Sequence, residues 1–436
     1  MLEVLHHRVY RHLFAAQVIS LLGTGLATVA LSLMAFELAG DNAGAVLATA
    51  LTIKMLAYVF VSPVLAAAFH GVARRPVLVS LDIIRALTAL SLPFLSEVWH
   101  IYIVIFILQS SSAGFTPLFQ ATIPDVLTDE REYTKALSLS RLAYDMESLI
   151  SPMLAAALLL VTSWHGLFFG TVLGFIASGI LVLSVSLPAL KQTQTSTWTE
   201  RLTRGTRIYF GTPRLRGLLV LNIATAFGGA MVFVNTVVLV QGQFGLTGQD
   251  TAIALAAFGF GSMLVALRLP QILEHFSERR VMLSGLVVLI VGQITGAMFA
   301  QGYYALLLIW LVMGAGYSLV QTPTSKILVR SATASERPAL FAAHFSLSHA
   351  GWMLAYPVAG WLMTAMDAYS AFIVLAVVST TGVILTSILW PASDEAPKSH
   401  RHDDLADDHE HLKHYGHGDQ HSHPHVLDAL HSKWPR

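Results

Sequence analysis

The sequence contains no cysteine. Disulfides, thiolate metal centres and thiol redox chemistry are therefore excluded. The softest metals, Cu(I) above all, lose their best ligand, and only methionine is left to substitute for it. Charge is the second scarcity: 12% of the residues are charged and 55% apolar, whereas a soluble domain carries about a quarter charged residues. Lys+Arg and Asp+Glu balance at 26 each. The basic residues fall in short clusters and not along a stripe, so nucleic acid is not an expected partner. No Gly-rich loop ending in Lys-Ser/Thr is present, and Gly23-Thr24-Gly25 and Gly259-Phe260-Gly261 do not complete a nucleotide fingerprint. Nothing points to an enzyme, to a prosthetic cofactor or to ATP as an energy source. No A-x-A site follows the first hydrophobic run, which reads as a retained span.

What the chain has in quantity is hydrophobic runs. A helix needs about 20 mostly apolar residues to cross a bilayer. Twelve such runs occur, over 13–38, 45–69, 77–95, 99–121, 139–162, 165–187, 217–241, 250–273, 281–300, 303–325, 339–363 and 368–390. They predict an all-α membrane protein with twelve transmembrane helices. A six-helix bundle over 1–187 is followed by a polar, basic loop over 188–216, a second bundle over 217–390 and a tail over 391–436. Part of the loop, around 198–210, reads either as an amphipathic helix at the membrane surface or as a solvated linker. Connections after odd-numbered spans hold no Lys or Arg. Those after even-numbered spans hold Arg74 and Arg75, Arg131 and Lys135, the central cluster, Arg279 and Arg280, and Lys326, Arg330 and Arg337. Arg8 and Arg11 precede the first span. The positive-inside rule then puts both termini in the cytoplasm; the expected location is the inner membrane of a bacterial cell.

The two halves repeat. His70 stands four residues before Arg74-Arg75, and His275 four before Arg279-Arg280, an offset of 205 that also maps Thr128 onto Thr333 and Pro152 onto Pro357. AGFTPLFQATIP in span 4 echoes AGYSLVQTP in span 10. Transporters built from internal repeats place their site near the bilayer midplane, between the repeats. With its two six-span halves, basic central loop and paired arginines after spans 2 and 8, the chain resembles a major facilitator superfamily transporter. IPDVLTDEREYTKALSLSR (123–141) resembles the span 4–5 loop of drug and siderophore exporters. Ser151-Pro152-Met153-Leu154-Ala155 resembles the Gly-Pro-x-x-Gly element of antiporters, with Ser and Ala in place of the glycines. His70 and His275 stand where the family usually has Asp. SRLAYDMESLISP (140–152), together with the tail described below, is similar to the NreB-type nickel-resistance exporters. The resemblance implies a cavity lined by spans 1, 4, 7 and 10, where Gln17, Gln109, Asn222, Asn235, Tyr317 and Gln321 are the candidate lining residues.

Ionisable groups inside a bilayer cost about 2.5–3.5 kcal/mol each on insertion scales, so each needs a reason. Span 5 carries Arg141, Asp145 and Glu147. Arg141 and Asp145 are four apart and can pair, although Arg141 is also placed to snorkel. Glu147 lies about 200° around the helix from Asp145 and is the better cation or proton site. Span 11 holds His344 and His349, whose rings diverge by about 140°; with Asp145, Glu147 and Lys54 they are the candidate metal or proton sites of the pathway. Lys54 in span 2 needs an acid or a polar cavity, and is a candidate to hold a pathway carboxylate in the substrate-free state. Asp82 and Arg85 in span 3 read as a local gate or packing pair near the cytoplasmic end. With Arg74, Arg75, Arg279 and Arg280 they make the candidate gate. Gly166, Gly170, Gly174 and Ser178 form a close-packing ridge in span 6.

The last stretch is of another kind. His400, His402, His409, His411, His414, His417, His421, His423, His425 and His431, ten of the 19 histidines, alternate with acidic residues. Such a tract cannot form a core and is expected to be disordered. Neutral imidazole suits Zn, Cu and Ni. Its H-x-H pairs favour several weak, exchangeable metal sites over one closed tetrahedral site. The expectation is a proton-driven exporter of Ni²⁺, with Co²⁺ or Zn²⁺ as further cargo, acting as a monomer in the lipid bilayer. The alternative is an exporter of a drug, siderophore or other organic solute whose tail only buffers or senses metal.

Overall fold

A computed structural model of the chain describes residues 2–39, 43–188, 197–300, 302–395, 398–401 and 420–423. Helices follow each expected hydrophobic run. The first half comprises α1 (Arg8–Ala39), α2 (Ala43–Leu56), α3 (Ser62–Ala68), α4 (Arg74–Ser91), α5 (Val98–Val126), α6 (Glu130–Leu159) and α7 (Trp164–Leu183). A π-helical turn, Ala57–Val61, joins α2 to α3, so these form a single span. α8 (Trp198–Gly211) occupies the central loop. The second half comprises α9 (Pro213–Val237), α10 (Gly248–His275), α11 (Glu278–Phe299), α12 (Tyr303–Gln321), α13 (Thr324–Arg330), α14 (Arg337–Ala365) and α15 (Ala368–Leu389). Among the described residues, 10 spans are long and apolar enough to cross a membrane on composition. The other two long helices are α6 and α14, which carry Arg141, Asp145 and Glu147 and the two histidines His344 and His349. Both pack centrally: α6 lies against α1 and α10, and α14 against α9, α5 and α8.

Small residues set the helix spacing. Gly174 of α7 lies against Gly23 of α1, Gly170 faces Leu26, and the Thr171 hydroxyl donates to the Gly23 carbonyl at 2.8 Å, so the middle of the span 6 ridge packs against α1. The second half has one continuous core around Trp310, Phe372 and Leu289. The first half has two apolar clusters, one with Leu26, Phe168 and Phe175, the other with Leu13, Leu78, Phe115 and Phe119. The Arg85 guanidinium sits between them, 4.0 Å from the Phe115 ring and 4.5 Å from the Phe175 ring.

The central loop contains a docked helix, not a solvated linker. Thr197 and Glu200 form a capping box at its start. Its buried face meets α14 and α3. Gly205 touches the Ala339 backbone so closely that a Cβ there would overlap the Ala339 carbonyl. Trp198 and Phe210 face outward, about half exposed.

The repeat survives in three dimensions with a shifted register. Arg75 donates to the Leu183 carbonyl at the end of α7. Arg279 donates to the Trp390 carbonyl at 2.7 Å and the Ser387 carbonyl at 3.4 Å, at the end of α15. Arg75 therefore corresponds to Arg279, an offset of 204, and Arg74 to Glu278. Charge is reversed across the halves: Arg74 pairs with Asp125 at 2.5 Å, and Glu278 with Arg330 at 3.3 Å.

Beyond the helices, β1 (Lys398–Arg401) and β2 (Gln420–His423) pair antiparallel, with His400 opposite His421. Composition predicts these eight residues to be unstructured, and here they form a ladder that also includes His423. His402, His409, His411, His414, His417, His425 and His431 lie outside the described residues.

Candidate functional site

A cavity of ≈ 430 Å³ lies between the halves. The first half supplies Gln17, Thr24, Thr28, Lys54, Tyr58, Gln120, Tyr144 and Glu147 to its wall, and the second supplies Gln321, His344, Phe345, Ser348 and His349. The helical period explains the choice. Arg141, Tyr144 and Glu147 recur every three residues along α6, and His344 and Ser348 are one turn apart on α14. Both histidines reach the wall despite their divergence, because the cavity is wide. A smaller void of ≈ 160 Å³ shares Gln17, Arg141, Tyr144 and Gln321 with it and adds Tyr133 and Ser140.

Four of the expected pathway residues, Lys54, Glu147, His344 and His349, line this one cavity. Glu147 is half-buried and makes no ion pair among the described residues, and the Lys54 charge acts on both it and His349. Gly25 of α1 makes room first for Ser151, whose Oγ a Cβ there would overlap, and then for the Glu147 Oε1, 2.9 Å from that Cβ position. Lys54 Nζ stands 5.5 Å over the Tyr58 ring. Tyr58 in turn meets the His349 ring edge-on at 4.8 Å and donates to Gln109 Oε1 at 3.0 Å. Tyr58 belongs to the π-helical turn, a distortion frequent at functional sites. The neighbouring Val59 carbonyl accepts the Ser346 hydroxyl of the other half at 2.5 Å.

Asp145 is committed elsewhere. It pairs with Arg141, whose Nε also donates to Ser262 at 3.0 Å and whose guanidinium lies 4.9 Å over the Tyr317 ring. Arg141 thus bridges α6 to α10 and α12 and does not snorkel. Tyr317 packs among Phe233, Phe258 and Trp352 below it, outside the cavity wall. Asn222 and Asn235 are also not lining residues. Both are buried inside the second half, donating at 3.0 Å to the carbonyls of Leu218 and Ala359 respectively. Gln109 stands behind Tyr58, and only Gln17 and Gln321 of the six expected lining residues face the space.

The gate differs from expectation. Asp82 and Arg85 pair near the middle of α4, with Ser178 donating to Asp82 at 2.9 Å and Arg85 reaching Ser20 at 3.4 Å. All four belong to the first half, so the pair braces that half and does not join the two. Arg75 and Arg279 anchor helix ends within their own halves, and Arg280 is exposed. Of the expected gate residues only Arg74 reaches across, to the Ala334 carbonyl at 3.5 Å. The cross-links come from acids that sequence reasoning passed over. Asp125 pairs with Arg74 and with Arg337 of the other half, and Lys326 bridges Glu130 of the first half and Glu278 of the second at 2.8 Å each. The available signal was complementary charge: acids flank the span 4–5 loop and bases flank the span 10–11 loop. Among the described residues no ion pair joins the halves at the opposite face. His70 takes no part; burial, with Arg201 and Arg204 of α8 nearby, lowers its pKa.

Among the described residues no three His, Asp or Glu side chains gather as a metal site. The arrangement offers instead one carboxylate and two imidazoles around a shared, two-sided space.

Comparison with known proteins agrees with this architecture. The profile of the Major Facilitator Superfamily matches residues 13–273 and 218–417. The chain is 25% identical over 338 residues to the uncharacterized MFS-type transporter YfiS of Bacillus subtilis, covering 73% of this chain and 78% of that protein. It is 23% identical over 371 residues to macrolide efflux protein A of Streptococcus pyogenes, covering 82% and 88%. The crystal structure of the human organic anion transporter MFSD10 (TETRAN) superposes with a TM-score of 0.72 at 14% identity, covering 87% of this chain and 99% of that one.

Proposed function

The chain belongs to the major facilitator superfamily, a family of transporters and not enzymes, and from that premise we propose that it exports a divalent transition metal ion, Ni²⁺ first, in exchange for protons. Co²⁺ and Zn²⁺ are the further cargo expected. The observation that carries this reading is the shared cavity, where Glu147 of one half faces the same space as His344 and His349 of the other. Mixed oxygen and nitrogen donors suit borderline divalent cations. Donors completed by water suit a cargo that must be released. The tail, with ten of the 19 histidines, adds a metal collector. By the positive-inside rule the face closed by Asp125, Glu130, Lys326 and Arg337 is the cytoplasmic one.

Energetics favours proton exchange. Moving a divalent cation outward against about 100 mV costs about 4.6 kcal/mol. One incoming proton leaves net charge to move uphill, and two or more remove that cost. Glu147 holds either proton or metal.

A second reading is an organic solute. It is favoured by the macrolide efflux relatives and by the aromatic share of the wall, Tyr58, Phe115, Phe119 and Phe345. One experiment separates the two. In everted vesicles, Ni²⁺ and a macrolide are offered to the full chain, a chain lacking 399–436, and Glu147→Gln. The metal reading expects Ni²⁺ uptake driven by the pH gradient, reduced in capacity without the tail and lost with Glu147→Gln. Macrolide flux with no Ni²⁺, Co²⁺ or Zn²⁺ flux would sink it.

A further inference from the structure

We infer that the two cavity histidines are held as opposite tautomers, and that His349, not His344, presents the nitrogen lone pair to the cargo. His349 Nδ1 lies 2.7 Å from the Phe345 carbonyl oxygen, one turn back on α14. A carbonyl oxygen only accepts, so Nδ1 carries the proton and the neutral ring offers Nε2 as an acceptor or ligand. This is the arrangement by which ligating histidines are usually oriented, the second nitrogen donating to a backbone carbonyl or carboxylate.

His344 is held differently. Its Nδ1 lies 2.8 Å from the Tyr209 hydroxyl, and the two rings stack with centroids 5.9 Å apart. Tyr209 is fully buried on α8, and its hydroxyl has no other partner among the described residues. If Nδ1–H donated to the tyrosine oxygen, the phenolic proton would be stranded in an apolar setting. The satisfied arrangement has Tyr209 donating to Nδ1, so Nε2 carries the proton. His344 therefore shows the cavity an N–H donor, suited to a carboxylate or water oxygen and unsuited to a metal. The docking of α8, fixed by the Arg204–Glu336 ion pair and the Gly205 contact, sets this proton from outside the bundle.

The inference rests on the metal reading for its cargo only; the tautomers follow from the hydrogen bonds. The test uses the full chain labelled with ¹⁵N-histidine, with His344→Gln and His349→Gln assigning the two rings. At a pH where both are neutral, His349 should show a protonated Nδ1 and a bare Nε2, and His344 the reverse. Tyr209→Phe, which keeps the ring, should release His344 to a mixture of tautomers. Zn²⁺ added to the unsubstituted protein should shift the His349 Nε2 signal and leave His344 in place. In vesicles, His349→Gln should lower kcat/KM for Ni²⁺ about tenfold or more, on the scale of a lost ligand orientation, and His344→Gln by less. The reverse tautomers, a Zn²⁺ shift at His344, or a larger loss with His344→Gln would overturn the inference. Opposite tautomers in a protein that moves no metal would overturn the metal reading and leave the donor and acceptor assignment standing.

Discussion

At the residue scale the cavity separates two kinds of charge. The Arg141–Asp145 pair is a structural bridge, satisfied by Ser262 and capped by Tyr317. Glu147, two residues on, has no ion-pair partner among the described residues and faces the open space. Insertion cost made all three visible in the sequence, because an ionisable group in a bilayer demands a reason. The sequence could not say which reason applied, since Ser262 and Tyr317 are more than a hundred residues away. The distinction has a measurable consequence. Arg141→Met takes the guanidinium away from the buried Asp145 carboxylate, which should cost about 3–5 kcal/mol. Arg141→Met with Asp145→Leu should recover most of that loss. Thermal unfolding in detergent reads both, and equal losses in the single and double variants would contradict a structural role.

At the element scale, α8 is the least expected part. Its sequence supports an amphipathic surface helix and a solvated linker equally well. Docking was decided by a glycine and a tyrosine whose partners, Ala339 and His344, lie on α14. Gly205→Val places side-chain atoms where the Ala339 carbonyl stands, so α8 should lift off. Limited proteolysis should then cut between the halves faster than in the unsubstituted protein. Unchanged cleavage with normal folding would mean that α8 is not held by this contact. The π-helical turn at Ala57–Val61 was equally hidden. Nothing in AYVFV announces it, and the Val59 carbonyl is met by Ser346 from the other half.

At the scale of the whole molecule, ion pairs join the halves at the arginine-rich face. The Asp125 and Glu130 links differ in burial. The Glu130 side chain is 66% exposed, so its link to Lys326 is worth about 0–1 kcal/mol. Asp125 is 11% exposed and serves two guanidinium groups, so losing it should cost more. Because the chain has no cysteine, a single Thr28→Cys in the cavity wall is a unique label site. Asp125→Asn should lower its labelling from the opposite face by shifting the protein toward the state open at the arginine-rich face, and Glu130→Gln should do so only weakly. Equal labelling in all three proteins would remove the latch assignment.

The sequence by itself determined the all-helical, membrane-spanning architecture and the short set of ionisable residues worth attention. Each of these follows from the bilayer, which taxes polar groups locally and leaves its mark in composition and period. Only the tertiary structure decided which of those residues share a space. It drew Asn222, Asn235 and Tyr317 away from the cavity, withdrew Asp82 and Arg85 from the gate, and brought in Asp125, Glu130, Tyr58 and Tyr209. It also moved the repeat register from 205 to 204 where Arg75 and Arg279 bind their helix ends. These outcomes depend on hydrogen bonds and ion pairs between distant segments, fixed by how the helices pack and not by any local pattern.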